Sequence, residues 1–176
     1  MPFFLTLIAV AVGAYFWMNR ARNAASAVQD LAGMAGDVMN AARRFGFRRA
    51  ADVHPVESLD DGFVATAGIG IAFMELGGLP SADQHDALIR SLQNHLAQDH
   101  AKSQEAVILG RWLIAECGGA QQGLERMARR LYKLQGHASF DPMMSVLKDV
   151  ASGNHAGMSQ RQLEALEKLA VTFRVR

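Results

Sequence analysis

The first residues of the chain constrain its fold most, because residues 2–18 (PFFLTLIAVAVGAYFWM) form an uncharged, almost wholly apolar run. As a helix rising about 1.5 Å per residue, this run measures about 25 Å, the short end of what crosses a bilayer. Aromatic residues close the run and Arg20 and Arg22 follow it, whereas no Lys or Arg precedes it. Since aromatic rings favour the headgroup layer and basic residues remain inside, we predict one spanning helix of the bacterial inner membrane, with its N-terminus outside and the remaining chain in the cytoplasm. The residues assigned to the bilayer are Phe3, Phe4, Leu5, Leu7, Ile8, Val10, Val12, Tyr15, Phe16 and Trp17.

Two other interpretations of this run stay open. A cleaved signal peptide usually has a basic region before its apolar core, and this chain offers only its α-amino group there. Small residues suited to cleavage occur at 25–27, but two arginines separate them from the apolar run. A buried core helix is the third interpretation, although so pure a run at the start of a chain is unusual for one. We therefore prefer the anchor.

The charge of the chain is unevenly distributed. Residues 19–50 contain six arginines and two aspartates, a net of +4, whereas twelve Lys or Arg and fifteen Asp or Glu follow, a net of −3. Basic side chains beside an apolar anchor are attracted to anionic lipid by about 1 kcal/mol per cation. A nucleic-acid-binding protein would instead carry its positive excess on the folded domain. The pattern predicts a lipid bilayer as a partner and argues against nucleic acid.

Residues with catalytic potential form no recognisable motif. Cys117 is the single cysteine, so neither an intrachain disulfide nor a cysteine-based zinc site can form, and we predict a buried structural thiol. The glycine runs lack the lysine of a phosphate-binding loop, and no Ser, His and Asp residues are ordered as a triad. The acidic pair Asp60 and Asp61 is explained by the start of a helix. We therefore expect a protein without enzymatic activity and without a cofactor.

Apolar residues recur at spacings of three and four between the anchor and residue 47. This pattern predicts an amphipathic helix with an association stripe, which comprises Val28, Leu31, Ala35, Val38, Ala42 and Phe45. Three interpretations fit equally. The helix forms a self-associating stalk, it lies on the membrane with the arginines at 43, 44, 48 and 49 at the headgroups, or it packs on its own domain.

The pair His54-Pro55 interrupts that helix, because a residue before proline disfavours the helical conformation. We therefore predict an anchor at 1–18, an amphipathic helical linker or stalk at 19–55 and a helical domain at 56–176. No stretch alternates with a period of two, so the predicted class is all-α. The predicted helices run from a cap at 58–61 to Leu76, from a capping box at Ser81 and Gln84 past Leu96, and over about 102–117, 121–134, 140–150 and 160–175. On the fourth, Arg126, Arg129, Arg130 and Lys133 are assigned to a solvated face.

Two passages of the domain repeat one design, a helix followed by a glycine-containing loop and a serine-capped helix. Superposing Ser81 on Ser159 aligns Gln84 with Gln162, and residues 87–88 with 165–166. On these residues the chain resembles the TerB-like family of tellurite-resistance proteins over roughly residues 59–176, and the membrane-anchored part of DjlA-type co-chaperones that precedes the J-domain. The resemblance implies a bundle of about six helices built from two helical hairpins.

The chain departs from the family pattern in its loops. The loops at 75–78 and 153–157 lack the family's aspartates, which the resemblance associates with metal binding, and no His-Pro-Asp signature of a J-domain occurs. The best remaining candidate ligands for a divalent metal are His85, His95, Asp99 and His100, of which His95 and Asp99 share a helix face.

The sequence therefore leads to two expectations about function. The first is a membrane-anchored cytoplasmic module that binds a membrane or cytoplasmic protein partner, in an envelope or tellurite-type stress response or as an accessory subunit of a membrane complex. Self-association is compatible with it. The alternative is a helical domain that binds a divalent metal or senses stress.

Overall fold

The computed structural model describes residues 35–153 and 157–174, and every regular element within them is helical. The chain divides into two compact units, Met1–Asp37 and Val38–Arg176. Only residues 35–37 of the first unit are described, as helix, so the architecture below is that of the second. The predicted all-α class is confirmed for this part of the chain.

The regular elements among the described residues are seven α-helices and two short 3₁₀ turns. All six helices predicted for the domain are present, and residues 35–44, at the end of the predicted stripe helix, are helical. The helices are α1 (35–44), α2 (Gly62–Leu76), α3 (Ala82–Leu96), α4 (His100–Glu116), α5 (Ala120–Gln135), α6 (Phe140–Ser152) and α7 (Gln160–Thr172), with 3₁₀ turns at Pro55–Ser58 and Gly136–Ser139.

Helix α2 is the centre of the fold. All of its fifteen residues except Glu75 are buried, as its apolar sequence predicts. It packs most extensively against α5 and α4. Glycines on α2 and α4 allow the backbones of these two helices to lie close together where they cross. A Cβ added to Gly110 of α4 would lie 2.9 Å from the backbone nitrogen of Gly68, so this crossing requires a residue without a side chain.

Side-chain caps fix where α2, α3, α4 and α7 begin. Asp61 Oδ1 accepts from the Phe63 amide at 2.8 Å and starts α2. Asp99 Oδ1 accepts from the Lys102 amide at 2.7 Å, which starts α4 two residues before the predicted position. Both predicted capping boxes are present, at the starts of α3 and α7. Local sequence therefore determines these boundaries.

The compact unit reaches further back than the predicted domain boundary at residue 56. Val38, Ala41 and Phe45 of α1 and its following turn pack on the same core as α2. Phe45 lies 6.2 Å from Phe63 between ring centroids, and the Lys102 ammonium lies 5.8 Å from each ring. The last part of the predicted linker is thus part of the folded unit, because its aromatic residues bury on that unit.

None of the helices in residues 35–153 and 157–174 combines the length and apolar character needed to cross a membrane. The predicted anchor at 1–18 lies outside the described residues.

Candidate functional site

An open apolar groove of about 660 Å³ is bounded by α6, by α7 and the residues just before it, and by one residue of α2. Its volume falls within the range of about 300–1,000 Å³ typical of binding pockets. The groove is lined by Phe73, Asp141, Met144, Ser145, Leu147, Lys148, Ala151, Ser152, Gly157, Met158 and Leu166.

Helix α6 lines the groove because it is apolar on more than one face. Its most buried residues, Met143, Val146, Leu147 and Val150, pack into the core. Met144 and Ala151, which are two turns apart, contact the core from its edge and are only partly buried. The sequence signal for the groove was this surplus of apolar residues on α6, and we did not predict the groove from it.

The start of α7 is fixed against the end of α2 by two hydrogen bonds. Ser159 Oγ donates to the Leu76 carbonyl at 3.0 Å, and Gln162 Nε2 donates to the Phe73 carbonyl at 2.9 Å. Gln162 is almost completely buried. These bonds hold Met158 and Leu166, on either side of Gln162 in the sequence, at the edge of the groove.

Two charged side chains stand at the groove, seven residues apart on α6. Asp141 and Lys148 are both exposed, and neither has an ion-pair partner among the described residues. The hydroxyls between and beside them are engaged within α6. Ser145 Oγ donates to the Asp141 carbonyl at 3.0 Å, and Ser152 Oγ donates to the Lys148 carbonyl at 2.9 Å.

Apolar surface continues from the groove onto α7. Leu163 precedes Leu166 by one helical turn and is 41 % exposed, and Met158 is 45 % exposed. Contiguous apolar surface next to a groove is characteristic of binding sites on soluble domains.

The predicted metal ligands make separate contacts, and His95 and Asp99 do not share a helix face because α3 ends at Leu96 and Asp99 caps α4. His95 Nε2 lies 2.9 Å from Asp149 Oδ2, and Asp99 caps α4. His100 Nδ1 lies 3.2 Å from the side-chain nitrogen Nε2 of Gln93. Within the described ranges no three His, Cys, Asp or Glu residues are arranged to hold a metal ion. The metal-binding alternative therefore stays a prediction, and no assembled ligand group supports it.

His85, the fourth candidate, lies near Arg111. Burial and the positive charge of Arg111 lower the pKa of His85, against the opposing effect of Asp86. Burial raises the pKa of the Glu75 carboxyl, and Arg111 partly offsets this. The surroundings of His85 thus favour the neutral form of its imidazole.

Ser91, His95 and Asp149 come together between α3 and α6, but not as a catalytic triad. Ser91 Oγ donates to Asp149 Oδ2 at 2.7 Å, and His95 contacts the same oxygen. Burial acts to raise the pKa of Asp149, but the hydrogen bonds from Ser91 and His95 outweigh it and hold the pKa below its ordinary value. In a catalytic triad the imidazole contacts the hydroxyl directly. In this protein the Asp149 carboxylate lies between the Ser91 hydroxyl and the His95 imidazole. The trio joins two helices.

Arg130 corrects the prediction of a solvated basic face on α5. The Arg130 side chain is only 9 % exposed. Its Nε donates to the Leu59 carbonyl, and its Nη2 donates to Asp60 Oδ1 at 3.0 Å. Asp60 is 91 % exposed, so the carbonyl is the buried partner. A periodic pattern of charges could not reveal this, because the carbonyl comes from a distant turn. Its neighbour Arg129 is exposed as predicted.

The association stripe is only partly described. Val28 and Leu31 lie outside the described residues, and Ala35 is exposed. Val38, Ala42 and Phe45 contact the chain's own core, as the third interpretation of this helix proposed. The apolar side chains at this end of the stripe are therefore used within the folded unit.

Cys117 is half-buried at the end of α4. Burial raises the pKa of its thiol, with smaller effects from nearby charges. A raised pKa disfavours the nucleophilic thiolate, in agreement with a structural role.

The ten side chains assigned to the membrane anchor, from Phe3 to Trp17, lie outside the described residues.

Comparison with protein-family models, with curated proteins and with solved structures gives no match to this chain.

Proposed function

We propose that this chain is a non-enzymatic protein-interaction module, held at the cytoplasmic face of the bacterial inner membrane by residues 2–18. The uncharged run and the arginines at 20 and 22 support the anchor and its orientation. The folded unit then stands within reach of other membrane proteins, and its groove binds one of them.

The proposal includes a TerB-like fold for this unit. Its support is the repeated hairpin formed by α2 with α3 and again by α6 with α7. In each hairpin a glycine-containing loop leads into a Ser-x-x-Gln capping box, which starts the second helix. A role in envelope or tellurite-type stress, or as an accessory subunit of a membrane complex, follows from that resemblance.

The groove of α6 and α7 is the observation that carries the interaction function. It combines an apolar lining, one partly buried and one exposed methionine, and charged residues without ion-pair partners among the described residues. Methionine side chains adapt to different apolar partners, and they are enriched on binding surfaces for this reason. Internal packing alone does not require such a surface to stay open to solvent.

Photo-crosslinking in intact cells tests this function. A photoreactive residue replaces Met144 inside the groove in one variant and Arg129, exposed on α5, in a matched control. We expect a discrete protein adduct in the membrane fraction from position 144 and none from position 129. Equal labelling from both positions would refute a partner at the groove.

The anchor is tested separately by carbonate extraction of membranes and by a tag at Arg176. We expect the full-length chain to resist extraction and the tag to be reached only after the inner membrane is opened. Release by carbonate would overturn the anchor and leave the groove to be judged by the crosslinking.

A further inference from the structure

We infer that the groove receives one amphipathic helix of the partner, with a basic and an acidic side chain about two turns apart beside its apolar stripe. This inference rests on the proposed function and specifies its partner. Four properties of the described residues support it.

The first property is the length of the groove. The α6 residues that line it run from Asp141 to Ser152, which is about 16 Å or three helical turns. A helix lying in a groove typically contributes apolar residues at positions i, i+3 or i+4, and i+7, which also cover about two to three turns. The groove therefore matches one short helix.

The second property is the extent of the apolar surface. It continues from Met158, which lines the cavity, onto Leu163, which lies outside it, and both side chains are more than two-fifths exposed. A small apolar ligand would fill the cavity and leave Leu163 in water. A helix covers both the cavity and its rim, so the surface fits a partner protein better than a small molecule.

The third property is the pair of charges. Asp141 and Lys148 lie about 10 Å apart along α6, and each lacks an ion-pair partner among the described residues. Asp149, next to Lys148, is occupied by Ser91 and His95 of α3. A helix that carries one positive and one negative side chain at the same spacing complements both charges of the groove.

The fourth property is that the α6 hydroxyls at the groove have no proton left to donate to a ligand. Ser145 and Ser152 donate their hydroxyl protons to carbonyls within the helix. The hydroxyls therefore offer only acceptor oxygens at this wall of the groove, and its charge selectivity comes from the two charged residues.

Three labelled synthetic peptides test the inference on the full-length chain, kept in the detergent or lipid in which it purifies. The peptides share one helical apolar stripe and differ at two flanking positions seven residues apart, which carry Lys and Glu, Lys and Lys, or Glu and Glu. Because each peptide can bind in either direction, charge composition is compared and charge order is not. Fluorescence anisotropy reports the dissociation constants.

We expect the Lys and Glu peptide to bind about threefold more tightly than either of the others, the scale of one exposed ion pair. The variant Lys148→Glu should transfer the preference to the Lys and Lys peptide, and Asp141→Lys to the Glu and Glu peptide. The matched control Lys168→Glu, on α7 outside the groove, should leave the ranking unchanged.

Equal binding of all three peptides, or a ranking that the charge variants do not move, would overturn the inferred charge pattern while a crosslink at position 144 upholds the interaction function. Saturable binding of a fluorescent fatty acid, lost in Met144→Glu, without binding of any peptide would also overturn it, in favour of a lipid-like ligand. Failure of every peptide together with no crosslink would refute both proposals.

Discussion

The two capping boxes of this protein have the same sequence motif and different roles. At the start of α3, Ser81 Oγ accepts from the Gln84 amide at 3.2 Å and Gln84 Oε1 accepts from the Ser81 amide at 3.0 Å. At the start of α7 the matching distances in Ser159 and Gln162 are 3.2 and 2.9 Å. Locally the two boxes are the same structure.

They differ in what else their side chains contact. Ser159 and Gln162 also donate to the carbonyls of Leu76 and Phe73, which are two of the last four carbonyls of α2. The amides of Gly77 and Gly78 satisfy the other two, those of Met74 and Glu75. Helix ends leave four carbonyls without intrahelical partners, so α7 completes the end of the buried helix. The α3 box has no contact of this kind among the described residues.

The difference shows that a local motif can also serve as a tertiary contact. The α7 box keeps the start of α7, and with it one edge of the groove, in a fixed place on α2. Removing one box should therefore cost more than removing the other, although their sequences predict equal effects.

The largest expected effect is that of Gln162→Ala. It removes a box hydrogen bond, leaves the Phe73 carbonyl without its partner and empties a buried site, so we expect a loss of about 3 kcal/mol in the free energy of unfolding. The matched variant Gln84→Ala should lose about 1 kcal/mol. Urea unfolding followed by circular dichroism measures both. Equal losses would show that the contact with α2 contributes nothing.

The serines give a smaller contrast. Ser159→Ala should lose about 2 kcal/mol, since it removes an N-cap and the bond to the Leu76 carbonyl, whereas Ser81→Ala should lose the N-cap alone, about 1 kcal/mol. The same unfolding experiment applies. A greater loss for Ser81→Ala would contradict the comparison.

Arg130 extends the comparison to a third carbonyl, that of Leu59. If contacts between a side chain and a distant carbonyl are what stabilise this fold, Arg130→Met should lose about 1.5 kcal/mol by removing the bond to Leu59. Arg129→Met, one residue away and exposed, is the control and should change stability by less than about 0.5 kcal/mol. Similar results for the two arginines would rule out a structural role for Arg130.

The smallest effect concerns pH. Helix α3 is joined to α6 through the Asp149 carboxylate, whose pKa is lowered in the folded state, whereas the bonds from α7 to α2 involve neutral groups. A lowered pKa stabilises the fold above the ordinary aspartate pKa of about 3.9, and this contribution is lost as the pH falls through the folded value. Asp149→Asn should therefore be less stable than the unmodified chain at pH 7, and the gap should close below about pH 4. Since the Asp149 side chain is 46 % exposed, solvent screens its interactions and we expect a small gap.

Ser159→Ala supplies the control for this pH dependence. Its loss of stability should stay constant between pH 7 and pH 3, because no titrating group takes part in its bonds. A gap for Asp149→Asn that persists unchanged at pH 3 would show that the carboxylate charge does not hold α3 on α6.

Local signals in the sequence predicted most of the fold. Capping residues at 81, 84, 159 and 162 were identified correctly, since a cap needs only neighbours three residues apart. The buried centre at α2 was predicted from its uninterrupted apolar character. The groove was not predicted, because Met144 and Leu166 belong to different helices whose meeting depends on the packing of the whole unit.

By itself, the sequence determined the helical class, the starts of the helices that carry a capping box and the central position of α2. These follow from patterns of polarity and caps within a few residues, where the physical interactions are local. Only the tertiary structure decided that Arg130 is buried, that the end of the stripe packs on the chain's own core, and that one of two equal capping boxes completes α2. Each of these depends on atoms brought together from distant parts of the chain, and burial there changes the free energy of the same side chain.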